Sequence, residues 1–462
     1  MLFSKKNDVN MLSGSIVKGL LSIALPIMVM NVLQSLFSIA DMTVLKLYDA
    51  GGGYSVGAVG ACGSLIVLIT GLLIGISAGA NVTVARYIGR GEPERVERAV
   101  GTAVLFSFVG GVALAVVGIT LADPLLRLIQ CDPLLLPQAT LYFRIYFAGV
   151  PILMMYNFCA SILRASGDTR RPMLFLTLGG VINVALNFVF VAGAGMRVEG
   201  VAIATVISWA VSAVLALVTL GRNTGAVKLR RCRFRFYRRE LVEMLAIGVP
   251  AGLQQALYCL ANVLIAATVN SFGPDATTGI AIANNFDGVL YQIIIAPSLA
   301  VMPYVSQNIG RGDPGRAAKA VRRGMLLTVL IGATIGAFSA GFSRELSSIM
   351  SDNPAVIEYS HQKMVIISST YFICGINEIL CAGLRGMGRS VVPTAATLVY
   401  MCLFRFVWVY AIFPLMPNLT FLYLVWPVSW VLSIGTLLLF YFPTLKKHLR
   451  LGTSKTEDSQ LV

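Results

Sequence analysis

The sequence predicts an all-α integral membrane protein whose twelve transmembrane helices form two pseudo-symmetric six-helix bundles around a central cleft. Three observations predict this fold class. Hydrophobic residues make up 57% of the 462 residues and charged residues only 12%, and the mean hydropathy is +0.80. Long apolar runs recur along the whole chain. One phrase is spelled twice, as IGRGEPERVERAV from Ile88 and as IGRGDPGRAAKAV from Ile309.

Each apolar run is long enough to form a helix that crosses a bilayer. About 20 helical residues span the hydrocarbon layer, and a helix satisfies its own backbone hydrogen bonds there. Residues 99–122 and 173–196, for example, contain no charged side chain. The predicted helices lie near 17–45, 57–87, 97–121, 137–163, 173–195, 200–221, 241–270, 278–309, 321–342, 357–384, 392–414 and 419–443.

The basic residues are distributed unequally between the two sides of the membrane. When the loops are assigned to alternate sides, one side holds 29 of the 36 Lys and Arg residues and the other holds 4. This bias marks the cytoplasmic side. We therefore expect a multi-pass protein of the cell (plasma) membrane with both termini in the cytoplasm. The net charge of +15 follows from the same bias, so no nucleic-acid partner is expected.

The repeated phrase belongs to a duplication of the whole chain. Other positions recur at the same spacing that separates Ile88 from Ile309: Asp132-Pro133 with Asn353-Pro354, Gly167 with Gly388, Pro172 with Pro393, and Trp209 with Trp430. Two repeats of the same orientation are typical of parallel-repeat transporters. The predicted domains are an N-terminal six-helix bundle (1–221), a basic cytoplasmic linker (222–239), a C-terminal six-helix bundle (240–445) and a cytoplasmic tail (446–462).

Each copy of the phrase predicts a tight cytoplasmic turn between the second and third helix of its half. Gly89 and Gly310 are predicted to adopt the left-handed conformation that closes a helix. Pro93 and Pro314 suit the first turn of the helix that follows. The phrase is therefore interpreted as a topological marker and not as a ligand site.

Four turns recur in order along the chain: 88–91 (IGRG), 163–168 (LRASGD), 307–312 (QNIGRG) and 384–389 (LRGMGR). This ordered set resembles the multidrug and toxic compound extrusion (MATE) family, and the resemblance spans about residues 15–445. It implies export of cationic or amphipathic small molecules, coupled to inward movement of H⁺ or Na⁺. No cofactor beyond this coupling ion is implied.

The resemblance also implies a cation-coupling site of the DinF-like branch, with an acid on the first helix and asparagines on the fifth. Those positions are Asp41, Asn183 and Asn187 here. Some members carry a second acid where Asn187 stands, so this chain departs from a two-carboxylate site.

The chemistry of the residues themselves also points to Asp41 and its neighbours. An acid near the bilayer centre costs about 2.5–3.5 kcal/mol, so Asp41 must face a cavity, find a partner or carry a proton. Asn183 and Asn187 share one helix face, and Thr205 on the sixth helix adds a hydroxyl. Proton carriage and Na⁺ coordination both remain open, as does a purely structural hydrogen-bonded cluster.

The C-terminal half has no acid at the position of Asp41. Asp287 and Glu378 are instead its buried acids, and either one is a candidate to bind the cationic substrate or a second ion. Arg405, inside the eleventh helix, is predicted to form an ion pair with Glu378. Further candidates for the lining of a substrate cavity are the aromatic, amide and thioether side chains of Tyr258, Tyr291, Gln292 and Met155, because aromatic faces attract cations and methionine adapts to varied shapes.

Several other classes of protein are disfavoured by the sequence. No Gly-Lys dipeptide occurs, so a P-loop is absent from this chain, and the two histidines are too few to suggest a metal site. No loop carries a clustered nucleophile and base, so the protein is not expected to be an enzyme. A lipid-linked precursor flippase of the same wider superfamily is the alternative function, and a channel or sensory protein is disfavoured by the duplication. A monomer in the lipid bilayer is expected, with a small-molecule substrate as its partner.

Overall fold

The structure is a computed structural model that describes residues 9–48, 54–222, 225, 227–230 and 233–460. All regular elements in this part of the chain are helices. Twelve of them are long and apolar enough to cross a membrane. They are α1 (Ile16–Tyr48), α2 (Tyr54–Arg90), α3 (Pro93–Thr120), α4 (Leu136–Ser166), α5 (Arg170–Gly193), α6 (Val198–Arg222), α7 (Arg238–Asn270), α8 (Pro274–Arg311), α9 (Pro314–Gly341), α10 (Pro354–Gly386), α11 (Val391–Leu415) and α12 (Leu419–Arg450).

The prediction of an all-α protein with twelve membrane helices is confirmed. Two short helices, Ala122–Leu128 and Ser343–Ser348, were not predicted. Each follows the third helix of its half, so they repeat at the same offset as the rest of the duplication. The predicted cytoplasmic termini include residues 1–8 and 461–462, which lie outside the described residues.

The chain divides into two compact units. The N-terminal unit comprises residues 1–9 and 29–248, and the C-terminal unit comprises residues 10–28 and 249–462. The start of α1 thus packs with the second half of the chain and the start of α7 with the first half. The domain limits inferred from the sequence, and the cleft, stay predictions.

The fourth helix of each half lies at the centre of its unit. In the N-terminal unit α4 packs against α2, α3 and α6, and in the C-terminal unit α10 packs against α8, α9 and α12. A Cβ atom on Gly111 of α3 would lie 2.5 Å from Pro151 Cα on α4. The equivalent contact in the second repeat places a Cβ on Gly332 3.0 Å from Phe372 Cα. Membrane helices approach closely where one side chain is missing, so the duplicated glycine preserves the same crossing.

The turns between the second and third helices differ in one detail from the prediction. Gly89 and Gly310 remain within their helices, and the left-handed residues are Gly91 (φ 69°) and Gly312 (φ 88°). The prediction for Gly89 and Gly310 is wrong because each helix continues through the arginine that follows. The prolines stand in the first turn of α3 and α9, as predicted.

Candidate functional site

The polar side chains predicted to hold the coupling ion lie together in the N-terminal unit. Asn187 Nδ2 donates a hydrogen bond to Asp41 Oδ1 at 2.5 Å. Asn183 donates to the same oxygen at 2.6 Å when its amide is oriented by its neighbours, and its own oxygen then accepts from the Thr205 N–H at 3.2 Å. In the reverse orientation the amide nitrogen meets only the Thr205 hydroxyl, at 3.3 Å. The first orientation is preferred because a carboxylate oxygen requires a donor.

Two adjacent glycines of α5 allow the three helices to meet at this carboxyl group. A Cβ atom on Gly179 would lie 2.3 Å from Ser212 Oγ on α6. A Cβ on Gly180 would lie 1.9 Å from Phe37 Cε2 on α1. A Cβ on Gly179 would also meet the Ser208 backbone carbonyl at 2.9 Å, and a Cβ on Gly180 would force the Phe37 ring to move. Asn183 follows one turn later, so the close packing sets the distance across which it reaches Asp41.

The hydrogen-bonding pattern of α5 changes directly after Asn187. Residues Phe188–Gly193 form a π-helical turn, and the Ala194 N–H donates to the Val189 carbonyl at 2.9 Å, five residues back. Such turns are frequent at functional sites. Hydropathy and residue spacing do not predict this turn.

The cluster leaves acceptor atoms beside Asp41. Asn183 and Asn187 are buried, with exposed fractions of 4% and 0%, whereas Asp41 is half-buried. The hydrogen bonds described for Asp41 all reach Oδ1. Asn187 Oδ1 is buried and has no hydrogen-bond partner among the described residues. Acceptor oxygens from a carboxylate and an amide suit a proton or a hard cation. Tyr142 of α4, which was not predicted, is close enough to interact electrostatically with Asp41.

Glu378 lies in a separate polar network within the C-terminal unit. It is 2% exposed, and Tyr258 donates its hydroxyl hydrogen to Glu378 Oε1 at 3.4 Å. The same hydroxyl accepts from Asn377 Nδ2 at 3.4 Å. Arg385 and Tyr291 both interact electrostatically with Glu378. Three predicted substrate-binding residues are therefore neighbours, although their binding of substrate stays a prediction.

Asp287 is already paired with a cation. Lys363 Nζ lies 2.8 Å from Asp287 Oδ2, and the two side chains are only 3% and 10% exposed. Lys363 also donates to Asn284 Oδ1. The negative charge of Asp287 is therefore neutralised within the protein. This pairing was not foreseen because Lys363 belongs to α10, two membrane helices further along the chain.

Arg405 does not form the predicted ion pair with Glu378, and that prediction is wrong. Its guanidinium donates to Asn262 Oδ1 at 3.0 Å and lies over the Trp426 ring at 5.6 Å from the centroid. Arg405 is 1% exposed, and its Nε has no partner among the described residues. At the spacing of the internal repeat, Asn262 is the counterpart of Asp41 and Trp426 is the counterpart of Thr205. The spacing that revealed the duplication would thus have pointed to this partner.

The two remaining candidates for substrate binding are Met155 and Gln292. Met155 is half-buried and packs against the hydrophobic core of the N-terminal unit. Gln292 follows Tyr291 on α8 and is half-buried in the C-terminal unit. The two therefore belong to different units, and their part in substrate binding stays a prediction.

Comparisons with known proteins agree with this fold and duplication. The MatE family model matches residues 26–189 and 250–411, one stretch in each half. A probable multidrug resistance protein, YoeA of Bacillus subtilis, is 27% identical over 380 residues, which cover 81% of this chain and 82% of the relative. A protein named as an FAD transporter, from Shewanella oneidensis, is 27% identical over 403 residues, covering 86% and 87%. A solved outward-facing structure of a multidrug resistance MATE family transporter superposes with a TM-score of 0.87 at 19% identity, covering 97% of this chain and 100% of that one.

Twelve membrane helices, a duplicated architecture and an intramembrane carboxyl group held by amides define a membrane transporter. Because the family model matches most of the chain, in both of its halves, the chain belongs to the MATE family. The protein is therefore a multi-pass membrane transporter and not an enzyme. The resemblance seen in the sequence is confirmed at the level of the family, and its assignment to the DinF-like branch stays a prediction.

Proposed function

We propose that the protein exports cationic or amphipathic small molecules across the cell membrane in exchange for inward-moving H⁺ or Na⁺. Asp41 carries the coupling ion, and ion binding there biases an alternating-access cycle. The protein works as a monomer with both termini in the cytoplasm. It needs no cofactor other than the ion.

The observation that carries this proposal is the arrangement around Asp41. A carboxyl group within a membrane helix is expensive and commonly marks an ion pathway. Both amides donate to Oδ1, so Oδ2 remains available to a proton or cation. The buried, unpartnered Asn187 Oδ1 supplies a second acceptor beside it. A buried acceptor without a donor is rare in proteins, and an arriving cation satisfies it.

The available gradients are large enough to drive export. One charge that crosses 100 mV releases about 2.3 kcal/mol, and one pH unit adds about 1.4 kcal/mol. Together they sustain a substrate gradient on the order of a few hundred-fold. The multidrug names of relatives such as YoeA support xenobiotic export, and they do not favour the lipid-linked precursor flippase.

The test is transport by purified protein in liposomes, with pH and Na⁺ gradients imposed separately. A fluorescent lipophilic cation is the first substrate, and FAD is the second because one relative carries that name. We expect one of the two ion gradients to drive accumulation of the cation by the wild type. Asp41→Asn abolishes this coupling, because asparagine keeps an Oδ1 acceptor for both amides but cannot exchange a proton or supply a charge.

Asp352→Asn is the matched control, since Asp352 is an exposed acid in a loop. It is expected to transport like the wild type. An Asp41→Asn protein that melts at the wild-type temperature and still couples export to either gradient would refute the proposal. Transport of FAD but not of cations would show that the substrate class is wrong while leaving the role of Asp41 intact.

A further inference from the structure

A basic cavity lies where α1 begins and α9 begins, within the C-terminal unit. Its volume is about 520 Å³. It is lined by residues 14–17 and by four cationic side chains, Arg316, Lys319, Arg322 and Arg323. No acidic side chain of the described residues lines it. Lys319, Arg322 and Arg323 are exposed, and no ion pair in the described part of the chain involves them.

One wall of this cavity is held rigidly by Arg316. Its guanidinium donates to the backbone carbonyls of Ser13 at 2.8 Å, Gly14 at 3.0 Å and Met11 at 3.2 Å. The segment before α1 is thereby fixed to α9. The N-terminal end of α1, whose first N–H groups attract negative charge, is consequently held beside the other three cations.

The duplicated face in the N-terminal unit is built differently. Residues 93–102 contain two Glu and two Arg, so their net charge is zero, whereas residues 314–323 contain three Arg and one Lys and no acid, a net charge of +4. Arg322 and Arg323 stand where Gly101 and Thr102 stand in the first half.

In the N-terminal unit that face is covered by the chain itself. A Cβ on Gly101 would lie 2.2 Å from the Arg233 carbonyl oxygen of the basic linker. Thr102 Oγ1 donates to the Arg235 carbonyl at 3.3 Å, and Arg230 pairs with Glu97 at 2.7 Å. The linker therefore covers this face, where Arg230 and Arg233 pair with Glu97 and Glu94 of α3. On the matching face of α9 the segment before α1 contacts Arg316. Lys319, Arg322 and Arg323 are exposed there, and none of them forms an ion pair with a described residue.

An apolar surface continues from the basic cavity along both helices. On α9, Leu326 and Leu330 follow Arg322 at intervals of four residues, on the same face, and are 49% and 56% exposed. On α1, Leu25 follows Val17 at an interval of eight residues and is 53% exposed. A cationic site that adjoins exposed apolar side chains is complementary to a lipid, which has a charged headgroup and apolar chains.

We propose that this cavity is a binding site for the phosphate headgroup of an anionic phospholipid of the cytoplasmic leaflet. Arg322, Arg323 and Lys319 contact the phosphate, Arg316 holds the segment before α1 in position, and the acyl chains lie along Leu326 and Leu330. The site belongs to the C-terminal unit, whereas the Asp41 cluster belongs to the N-terminal unit. Basic pockets on the cytoplasmic side of membrane proteins bind anionic lipid headgroups.

The test is native mass spectrometry of the purified full-length protein titrated with phosphatidylglycerol and, separately, with phosphatidylcholine of the same acyl chains. We expect phosphatidylglycerol to bind more tightly to the wild type. In the double variant R322Q/R323Q the dissociation constant for phosphatidylglycerol rises about 30-fold, since each charge near an anionic surface contributes about fivefold. Both side chains are exposed, so the lipid-free variant melts like the wild type.

The matched control is K446Q/K447Q, which removes two adjacent, exposed charges at the end of α12 and leaves lipid binding unchanged. Inorganic phosphate is titrated as a competitor and does not displace the lipid at millimolar concentration. Equal binding of the two lipids by the wild type would overturn the proposal. So would wild-type affinity of R322Q/R323Q, an equal loss in K446Q/K447Q, or displacement by phosphate alone, which would indicate a free-anion site. None of these outcomes bears on transport through Asp41.

Discussion

Replacing Lys363 with methionine removes one charge of the buried Lys363–Asp287 ion pair and leaves the other without its partner. The pair is close, at 2.8 Å, and its side chains are only 3% and 10% exposed. Asp287 Oδ1 has no hydrogen-bond partner among the described residues, so little else compensates the remaining carboxylate. Removing one member of such a buried pair costs about 3–5 kcal/mol.

The assay is thermal unfolding of the detergent-purified protein, followed by size-exclusion chromatography. At about 2–4 °C per kcal/mol for a domain of 150–250 residues, Lys363→Met lowers the apparent Tm by at least about 6 °C. The double variant Asp287→Leu/Lys363→Met removes both charges and recovers most of this loss, because well-packed apolar residues replace buried ion pairs at little cost. Lys447→Met, an exposed cation, changes Tm by less than about 1 °C.

Two outcomes would refute this reasoning. One is a Lys363→Met protein that melts within about 2 °C of the wild type. The other is a double variant no more stable than the single one, since the penalty would then arise from lost packing and not from an unpaired charge.

Packing and topology lead to three further predictions. Gly79→Ala places a Cβ 2.1 Å from a backbone carbonyl of α7 and destabilises by about 1–3 kcal/mol, whereas Gly63→Ala, on the same helix with nothing within 4 Å, does not lower the apparent Tm. Gly180→Ala separates α1 from α5 beside the proposed ion site, so ion-driven export in liposomes falls by at least about tenfold, and export at the wild-type rate would contradict the assigned packing. A membrane-impermeant maleimide added to intact cells is expected to label Cys131, a half-buried free cysteine in a loop predicted to face outward. It is expected to label a Lys447→Cys variant lacking Cys131 only after permeabilisation. The opposite pattern would show that the predicted topology is inverted.

The sequence predicted the helices well because each one has to satisfy a strong physical condition. A membrane span needs a long apolar run, and all twelve runs correspond to helices in the structure. The short helix Ala122–Leu128 has no such requirement and was missed. The π-helical turn after Asn187 depends on local packing, which hydropathy does not encode.

The candidate site was predictable only in part for a similar reason. Asn183 and Asn187 are four residues apart, so their shared face followed from helix geometry. Which neighbouring helix that face contacts, however, depends on how each helix is rotated about its axis and shifted along it in the bundle. Lys363 and Asp287 are far apart in sequence, and the partner of Arg405 proved to be Asn262 and not Glu378. Composition identifies such polar residues but not their pairing.

The chain's internal repeat supplies two equivalent polar positions, of which one holds a carboxyl group and the other an amide. A carboxyl group such as that of Asp41 can gain or lose a proton, whereas an arginine stays protonated throughout the physiological range. The position matched to Asp41 holds the amide of Asn262, which is occupied by the guanidinium of Arg405. Arg405 therefore gives the second position a fixed positive charge, which does not change with an ion gradient. Of the two equivalent positions, only that of Asp41 carries an acid. The proposed ion exchange at this pair of positions therefore depends on Asp41 alone.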